Sequence, residues 1–287
     1  MIICIGEILA DLIGEGNELK MFIGGAPFNV AVNAKQAGAN VGFIGRVGKD
    51  PVGNFLKEEA KKVGFDELTI QTDKVRNTTL AFVTLNNGER DFAFFRHDTA
   101  DYNIDINEVN VDKYNIVHLG SLMLSEKSGV EFAEKIVQKV KSENKLLSFD
   151  VNFRMDLYEG LDDAIKAYKP FVESADILKF SDDEILDYTG EKELDKAIDK
   201  VYRKGVLLLI TMGSKGSLYV YNGVKKLVPT TKKFTPVDTT GAGDAFFGTL
   251  LANIDGLEFT TDNIEKAIVK ANEKGGETTL FKGAVKL

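Results

Sequence analysis

An α/β architecture, with a central mostly parallel sheet and helices on both faces, is what this sequence predicts. Short apolar runs rich in β-branched residues alternate with amphipathic stretches along the chain. No repeat, low-complexity tract or Pro-rich linker interrupts that alternation over 287 residues with only five prolines. Two regions, 12–23 and 78–96, break the rule and read as antiparallel strands. Strand–helix alternation implies βαβ units with right-handed crossovers. The two exceptions imply a small β-sheet projecting from a single domain over 1–287.

In chain order, the expected strands are Ile2–Ile5, Val41–Val47, Ile116–Leu119, Leu146–Val151, Ile177–Phe180 and Val206–Thr211. They are short and apolar throughout, the pattern of strands buried on both faces. Helices are expected at Asn29–Ala37, Val52–Val63, Lys127–Ser142, Leu161–Val172 and Leu194–Tyr202. In the third, Val130, Ala133, Ile136, Val137 and Val140 fall three or four apart, which makes one apolar stripe. A strand-like segment, Lys232–Val237, precedes two further helices near Ala242–Ala252 and Asp262–Glu273. Among the exceptions, Thr79–Leu85 and Asp91–Phe95 flank Asn86-Asn87-Gly88, a turn signal. A flap at the edge of an α/β body is well placed to close over a ligand. The plainer alternative is an edge hairpin with no such role.

Thirty-six basic against 44 acidic residues give a net charge of −8, which argues against a nucleic-acid surface. One cysteine, Cys4, excludes an internal disulfide and fits a reducing compartment, so the expected location is the cytoplasm. No apolar run reaches the roughly 18 residues of a membrane span, and the opening Ile2-Ile3-Cys4-Ile5 lacks the flanks of a secretory signal. The dinucleotide and Walker fingerprints are absent, as is the Gly-x-Ser-x-Gly elbow. His97 and His118 have no zinc-ligand partners at a useful spacing. His118, inside an apolar run, reads as a core residue.

The most informative stretch is Asp238-Thr239-Thr240-Gly241-Ala242-Gly243-Asp244-Ala245-Phe246-Phe247-Gly248. Its glycines precede a helical pattern, so they fall at a helix N-terminus, where unpaired N–H groups and the dipole favour an anion. Asp244 then sits in the first turn. A carboxylate beside a phosphate site is explained if it takes a proton from a hydroxyl that attacks phosphorus, a role worth roughly 10²–10⁴ in rate. Loop donors would stabilise charge on the transferred group. The bland alternative is an acid complementing its own helix dipole.

This string resembles the C-terminal signature of the PfkB (ribokinase-like) family of sugar kinases, and the resemblance runs along the whole chain. Gly6-Glu7-Ile8-Leu9-Ala10-Asp11 is similar to the family's first strand, and Gly24-Gly25-Ala26-Pro27-Phe28-Asn29-Val30-Ala31 to its N-terminal glycine signature. Gly45–Gly53, Thr211–Gly216 and Lys282-Gly283-Ala284 follow in family order. The resemblance implies a three-layer αβα fold with a β lid, ATP and Mg²⁺ as cofactors, a small-molecule sugar substrate and, as an option, a homodimer through the lid. No nucleic-acid or membrane partner is implied.

By the same resemblance Asp244 is the catalytic base, and Gly241, Ala242 and Gly243 form the anion hole. Asp11, Gly24, Gly25 and Asn29 bind the sugar, joined by Arg154 and by Arg96, which ends a lid strand beside Asp11. Thr211, Gly213 and Gly216 lie under the nucleotide phosphates or ribose, and Asn272 at its adenine end. Glu184 belongs to an Asn-x-x-Glu motif that organises Mg²⁺ through water, with Ser181 in place of the asparagine; Asp182 and Asp183 read as the first turn of a helix. Asp238 and Thr240 fall near a monovalent-cation site, K⁺ where the family uses one.

The Gly-Gly-Ala-Pro-Phe-Asn string is similar to bacterial fructokinases, as are Phe92–Arg96, Ala100-Asp101 and Phe149–Arg154. Kinases of 2-keto-3-deoxygluconate place arginines at Arg96 and Arg154, and a guanidinium suits a carboxylate. They also tend to carry a tyrosine where this chain has Phe94, which favours a neutral ketose. The expected reaction is ATP-dependent phosphorylation of a ketose, D-fructose first, with a sugar acid as the alternative. A nucleoside kinase, or a non-catalytic sugar sensor on the same fold, ranks lower. An NAD-dependent dehydrogenase is disfavoured by the missing glycine fingerprint.

Overall fold

Four apolar residues in a row, Ile2–Ile5, form strand β1 and set the layering. Ile3 and Ile5 enter one hydrophobic core, Ile2 and Cys4 another, so the strand is covered on both faces. The computed structural model describes residues 1–15, 18–86, 89–154 and 157–287, with the backbone alone at 15, 83–86 and 89–92. After β1 come β2 (Leu9–Glu15), β3 (Glu18–Gly24), α1 (Ala26–Gln36), β4 (Val41–Gly48), α2 (Pro51–Lys62), β5 (Glu67–Asp73), β6 (Leu80–Asn86) and β7 (Glu89–Phe95). Next are β8 (Ile116–Leu119), α3 (Lys127–Ser142), β9 (Leu146–Asp150), α4 (Leu161–Ser174), β10 (Ile177–Ser181), α5 (Asp182–Thr189), α6 (Leu194–Val201) and β11 (Leu207–Thr211). A hairpin, β12 (Ser217–Tyr221) and β13 (Val224–Val228), precedes α7 (Ala242–Ile254) and α8 (Thr261–Thr278).

The large sheet has nine strands in the order β13-β12-β11-β10-β9-β8-β1-β4-β5. From β11 to β5 every pairing is parallel; β12 and β13 are antiparallel at one edge. Helices α1, α2, α7 and α8 fill the core with Ile2 and Cys4, and α3 to α6 fill the core with Ile3 and Ile5. The expected stripe on α3 holds: Ala133, Ile136 and Val140 are buried. The chain runs from β1 to β4 and β5 on one side and fills β8 to β11 on the other. The order therefore reverses between β1 and β8, and ligands of open α/β sheets bind beyond the carboxyl ends of strands at such a point. Glu7 and Ser121 lie just past those two ends.

A second sheet of four strands, β3-β2-β6-β7, forms from the two exceptional regions. Each region is an antiparallel hairpin, and β2 joins β6 in parallel. The expected turn at Asn86-Asn87-Gly88 extends outside the described residues. His118 is the core residue it promised to be: its Nδ1 meets Ser148 Oγ at 3.2 Å and its ring stands edge-on to Phe247. Burial pushes its pKa down to about 3, so it is neutral. No helix among the described residues is long and apolar enough to cross a membrane.

Three elements differ from expectation. Lys232–Val237 is not a strand; the chain from 229 to 241 is irregular and Val237 is 64% exposed. Pro229 and Pro236 lack ladder donors, and the Val237 and Asp238 N–H groups instead both bond to the Thr279 carbonyl. Strand β5 alternates weakly because it is a half-exposed edge. Hairpin β12–β13 turns on Asn222-Gly223, both at positive φ (45° and 85°), an Asn-Gly signal of the kind a two-residue hairpin favours.

Candidate active site

A cavity of about 750 Å³ opens at the strand-order reversal, between the two sheets. The flap lends it Asp11 and Phe22, the body Ser121 and Asn29, and the start of α7 lends Gly241, Gly243 and Asp244. Nine residues expected at a site line it: Asp11, Gly25, Asn29, Arg154, Asp238, Thr240, Gly241, Gly243 and Asp244.

Gly241 starts α7 in the left-handed region, φ 74°, and no side chain caps the helix. A Cβ there would stand 2.6 Å from the Cβ of Ala284, so only glycine fits. The uncapped turn sets Gly241 and Gly243 at the cavity wall, the arrangement that binds anions. Ala242, its first helical residue, lies off the cavity with its N–H on the Thr239 carbonyl at 3.3 Å. Asp244 is 8% exposed, and its Oδ2 accepts from Asn29 Nδ2 at 2.8 Å. Burial raises its pKa above the ordinary carboxylate value, while Asn29, Lys179 and Arg154 pull the other way. The carboxylate is thus oriented, largely desolvated and shifted toward proton uptake, as a general base requires.

Beneath the same turn lies a buried ion pair. Lys179 and Asp150 are register partners on β10 and β9, and Lys179 Nζ donates to both carboxylate oxygens at 2.8 Å. A Cβ on Gly243 would lie 3.4 Å from that nitrogen, so the ammonium backs the anion-binding turn. Burial alone would lower the Lys179 pKa, but Asp150, Glu184 and Asp244 more than offset it.

At the other end, Asp11 on β2 lies against Gly24, where a Cβ would stand 2.3 Å from its Oδ2. Gly24 itself does not line the cavity; it makes room for the Asp11 carboxylate. Asn29 Oδ1 is buried with no partner. Glu7 also lines the cavity, is 1% exposed, and has an unpartnered Oε2. Arg96 is placed elsewhere. Its guanidinium follows β7 into the body, donates to Asp101 at 2.5 and 3.1 Å and to the Leu122 carbonyl at 2.6 Å, and bonds Tyr102. It does not line the cavity, so the expectation of an arginine beside Asp11 is not what the fold delivers.

Thr211, Gly213, Gly216 and Asn272 form a separate group off the cavity, at the end of β11 and along α8. Asn272 accepts from Ser217 Oγ at 2.6 Å and donates to the Val228 carbonyl at 3.0 Å, which ties α8 to the hairpin. Glu184 lies between the two groups. It completes a capping box with Ser181, and its oxygens accept from the Ser181 and Phe153 N–H groups at 2.7 and 3.0 Å. Asp182 and Asp183 are the first turn of α5, as expected. Asp238 accepts from the Thr240 and Gly283 N–H groups at 2.9 and 2.7 Å, clasping the loop before α7 to the C-terminal segment.

Among the described residues no group of three or more His, Cys, Asp or Glu side chains is arranged to hold a metal. Mg²⁺ commonly uses one or two carboxylates plus substrate phosphates and water. The donors present fit an ion that arrives on a nucleotide and meets Glu184 through water.

Glu7, Asn152 and Lys282, which the sequence offers only as members of longer strings, also line the cavity, and Lys179 stands beneath it. Glu7 stands inside the string that contains Asp11, and a lysine at 179 in an otherwise apolar strand was a visible signal.

An uncapped helix turn, a buried carboxylate and further buried acceptors meet at one cavity, an arrangement suited to phosphoryl transfer onto a hydroxyl. Comparison with known proteins names the family: the chain belongs to the pfkB family of carbohydrate kinases, matched over residues 1–285. It is an ATP-dependent sugar kinase. Fructokinase-2 of Solanum lycopersicum is 34% identical over 304 residues, covering 99% of this chain and 92% of that one. An uncharacterized sugar kinase of Pyrococcus horikoshii, PH1459, solved with ATP, superposes with a TM-score of 0.87 at 34% identity over 99% and 94% of the chains. A double mutant of fructokinase from Vibrio cholerae O395, solved with fructose, ADP and potassium, gives 0.90 at 28% identity over 99% and 93%.

Proposed function

We propose that the enzyme transfers the γ-phosphate of ATP to a primary hydroxyl of a neutral ketose, D-fructose foremost, on C6 or C1. The observation that carries this reading is the buried Asp244 carboxylate, aimed by Asn29 and set in the first turn of uncapped α7. The sugar lies against Asp11, Gly25 and Asn29. Its hydroxyl oxygen attacks the γ-phosphorus and its proton goes to Asp244. The bond to the β–γ bridging oxygen breaks, and ADP leaves with that electron pair. Gly241 and Gly243 donors stabilise the equatorial oxygens. Thr211, Gly213, Gly216 and Asn272 hold the nucleotide. Mg²⁺ carried by the nucleotide would supply charge neutralisation, and Glu184 would hold it through water.

The sugar-acid reading keeps Arg154, which lines the cavity, but loses the support of Arg96, which Asp101 engages. The relatives named as fructokinases favour the ketose. Asp238 and Thr240 are the positions to test for K⁺ dependence. We place the enzyme in the cytoplasm, acting as one domain, with the flap as the surface to test for a homodimer.

The test is ADP release with Mg-ATP across fructose, 2-keto-3-deoxygluconate, ribose and adenosine. Fructose is expected to lead in kcat/KM by tenfold or more, about 1.4 kcal/mol of transition-state preference. Asp244→Asn is expected to lose roughly 10²–10⁴ in kcat while still binding sugar. Because the Asp244 pKa is raised and the base works ionised, kcat/KM falls as pH drops through that raised value. A variant that retains turnover would sink the role of Asp244 as the base.

A further inference from the structure

We infer that Glu7 is a further sugar-contacting residue, whose carboxyl accepts a ketose hydroxyl and excludes a substrate that carries a carboxylate. The inference rests on the ketose-kinase reading and sharpens its substrate class. Among the described residues, the orphaned buried side-chain atoms that belong to the cavity wall are Glu7 Oε2 and Asn29 Oδ1. Both are acceptors. A buried acceptor left without a donor is costly, and native structures seldom keep one without reason. Sugar hydroxyls are donors that would satisfy both at once.

The position of Glu7 is fixed by the strand-order reversal. It follows β1, and its main-chain carbonyl lies where a Cβ on Gly25 would stand, at 2.4 Å. A Cβ on Gly120, just past β8, would stand 2.7 Å from Oε2, so no side chain intervenes there. The cation whose field reaches Glu7 is Arg96, and Asp101 holds that guanidinium at 2.5 Å. Among the described residues no direct ion pair neutralises Glu7. Burial, opposed by Arg96, raises its pKa to about 7. The lining also holds Lys20, Arg154 and Lys282, so the exclusion is local to Glu7, where Asp101 and Asp244 add negative charge. A carboxylate placed against this buried carboxyl finds no donor, whereas a hydroxyl supplies one. A site built to pair a substrate hydroxyl also rejects analogues that leave its own groups unpaired.

The experiment compares kcat/KM for D-fructose and 2-keto-3-deoxygluconate, at saturating Mg-ATP, in the wild type and in Glu7→Gln. The glutamine keeps the shape and removes the charge. The expected result is a fall of at least tenfold in the fructose-to-sugar-acid ratio, mostly through KM. An equal change for both sugars, or none, overturns the inference, since a purely structural carboxyl has no means of moving the ratio. The ketose reading fails separately, if the wild type itself prefers the sugar acid; a ratio that still shifts toward the acid in Glu7→Gln would then leave the role of Glu7 standing. If no sugar turns over, the same ratio is read from binding constants by calorimetry. Should Glu7→Gln not fold, Glu7→Asp keeps the charge and shortens its reach: a tenfold rise in KM for fructose is expected, and wild-type kinetics would overturn the inference.

Discussion

A carboxyl such as Glu7 leaves a thermodynamic trace that its structure alone fixes in sign. Its ordinary pKa of 4.5 becomes about 7 in the folded protein. Between those values the native state holds a proton that the unfolded chain has released, so folding stability falls as pH rises through this window. The Glu7 penalty is absent at pH 4 and complete by pH 8. Glu7→Gln removes it, so the variant is expected to gain about 3 kcal/mol relative to wild type between pH 4 and pH 8, the linkage equivalent of the shift. Urea unfolding at pH 4, 6 and 8 measures this. A stability difference that does not change with pH would mean that Glu7 is solvated or paired. Asp244 is shifted in the same direction by burial, but Asn29 and Lys179 oppose the shift. Two acids in one cavity are therefore held at some cost to stability, which is the expected balance at a functional site.

At the scale of elements, what joins the flap to the body matters as much as what lines the cavity. Arg96 leaves β7 and reaches Asp101, the Leu122 carbonyl and Ser125, so one guanidinium ties the flap's last strand to the turn after β8. Both partners of the ion pair are 1% exposed at the side chain. Breaking such a pair leaves a buried charge unmatched and costs about 3–5 kcal/mol. Arg96→Met is expected to lower the free energy of unfolding by that amount, with no selective loss on the sugar acid. A selective tenfold loss on the sugar acid would instead make Arg96 a carboxylate clamp. The sequence placed Arg96 correctly at a strand end but could not show where it pointed, because Asp101 is its partner only through the fold. The parallel strands and α7 were legible because their signals are local: runs of apolar residues, and glycines at fixed spacing before Asp244. Asn222-Gly223 is an equally local signal. Lys232–Val237 misled because alternation says nothing about whether a neighbouring strand exists to pair with. The meeting of Lys179 with Asp150, 29 residues apart, depends on β9 and β10 being in register, which no local pattern encodes.

For the whole molecule the decisive feature is that the cavity belongs to two sheets at once. Asp11 comes from the small sheet, while Asn29, Ser121 and Asp244 come from the body. A sugar that contacts both couples them, and a ligand that binds only the folded form stabilises it in proportion to RT ln(1 + [L]/Kd), about 2.7 kcal/mol at a hundredfold excess over Kd. If the flap closes over the sugar, that stabilisation is shared by β2 and β3. If it is an edge hairpin, the stabilisation stops at the body. Amide hydrogen exchange separates the two. With fructose and a non-hydrolysable ATP analogue, exchange is expected to slow in β2 and β3 as well as at Gly120–Leu122 and the first turn of α7. Closure would also exclude water from the γ-phosphate, so ADP release without sugar is expected to fall at least a hundredfold below the rate with fructose, within the range positioning supplies. Protection confined to the body, together with brisk ATP hydrolysis in the absence of sugar, would show that the small sheet supplies Asp11 but does not act as a lid.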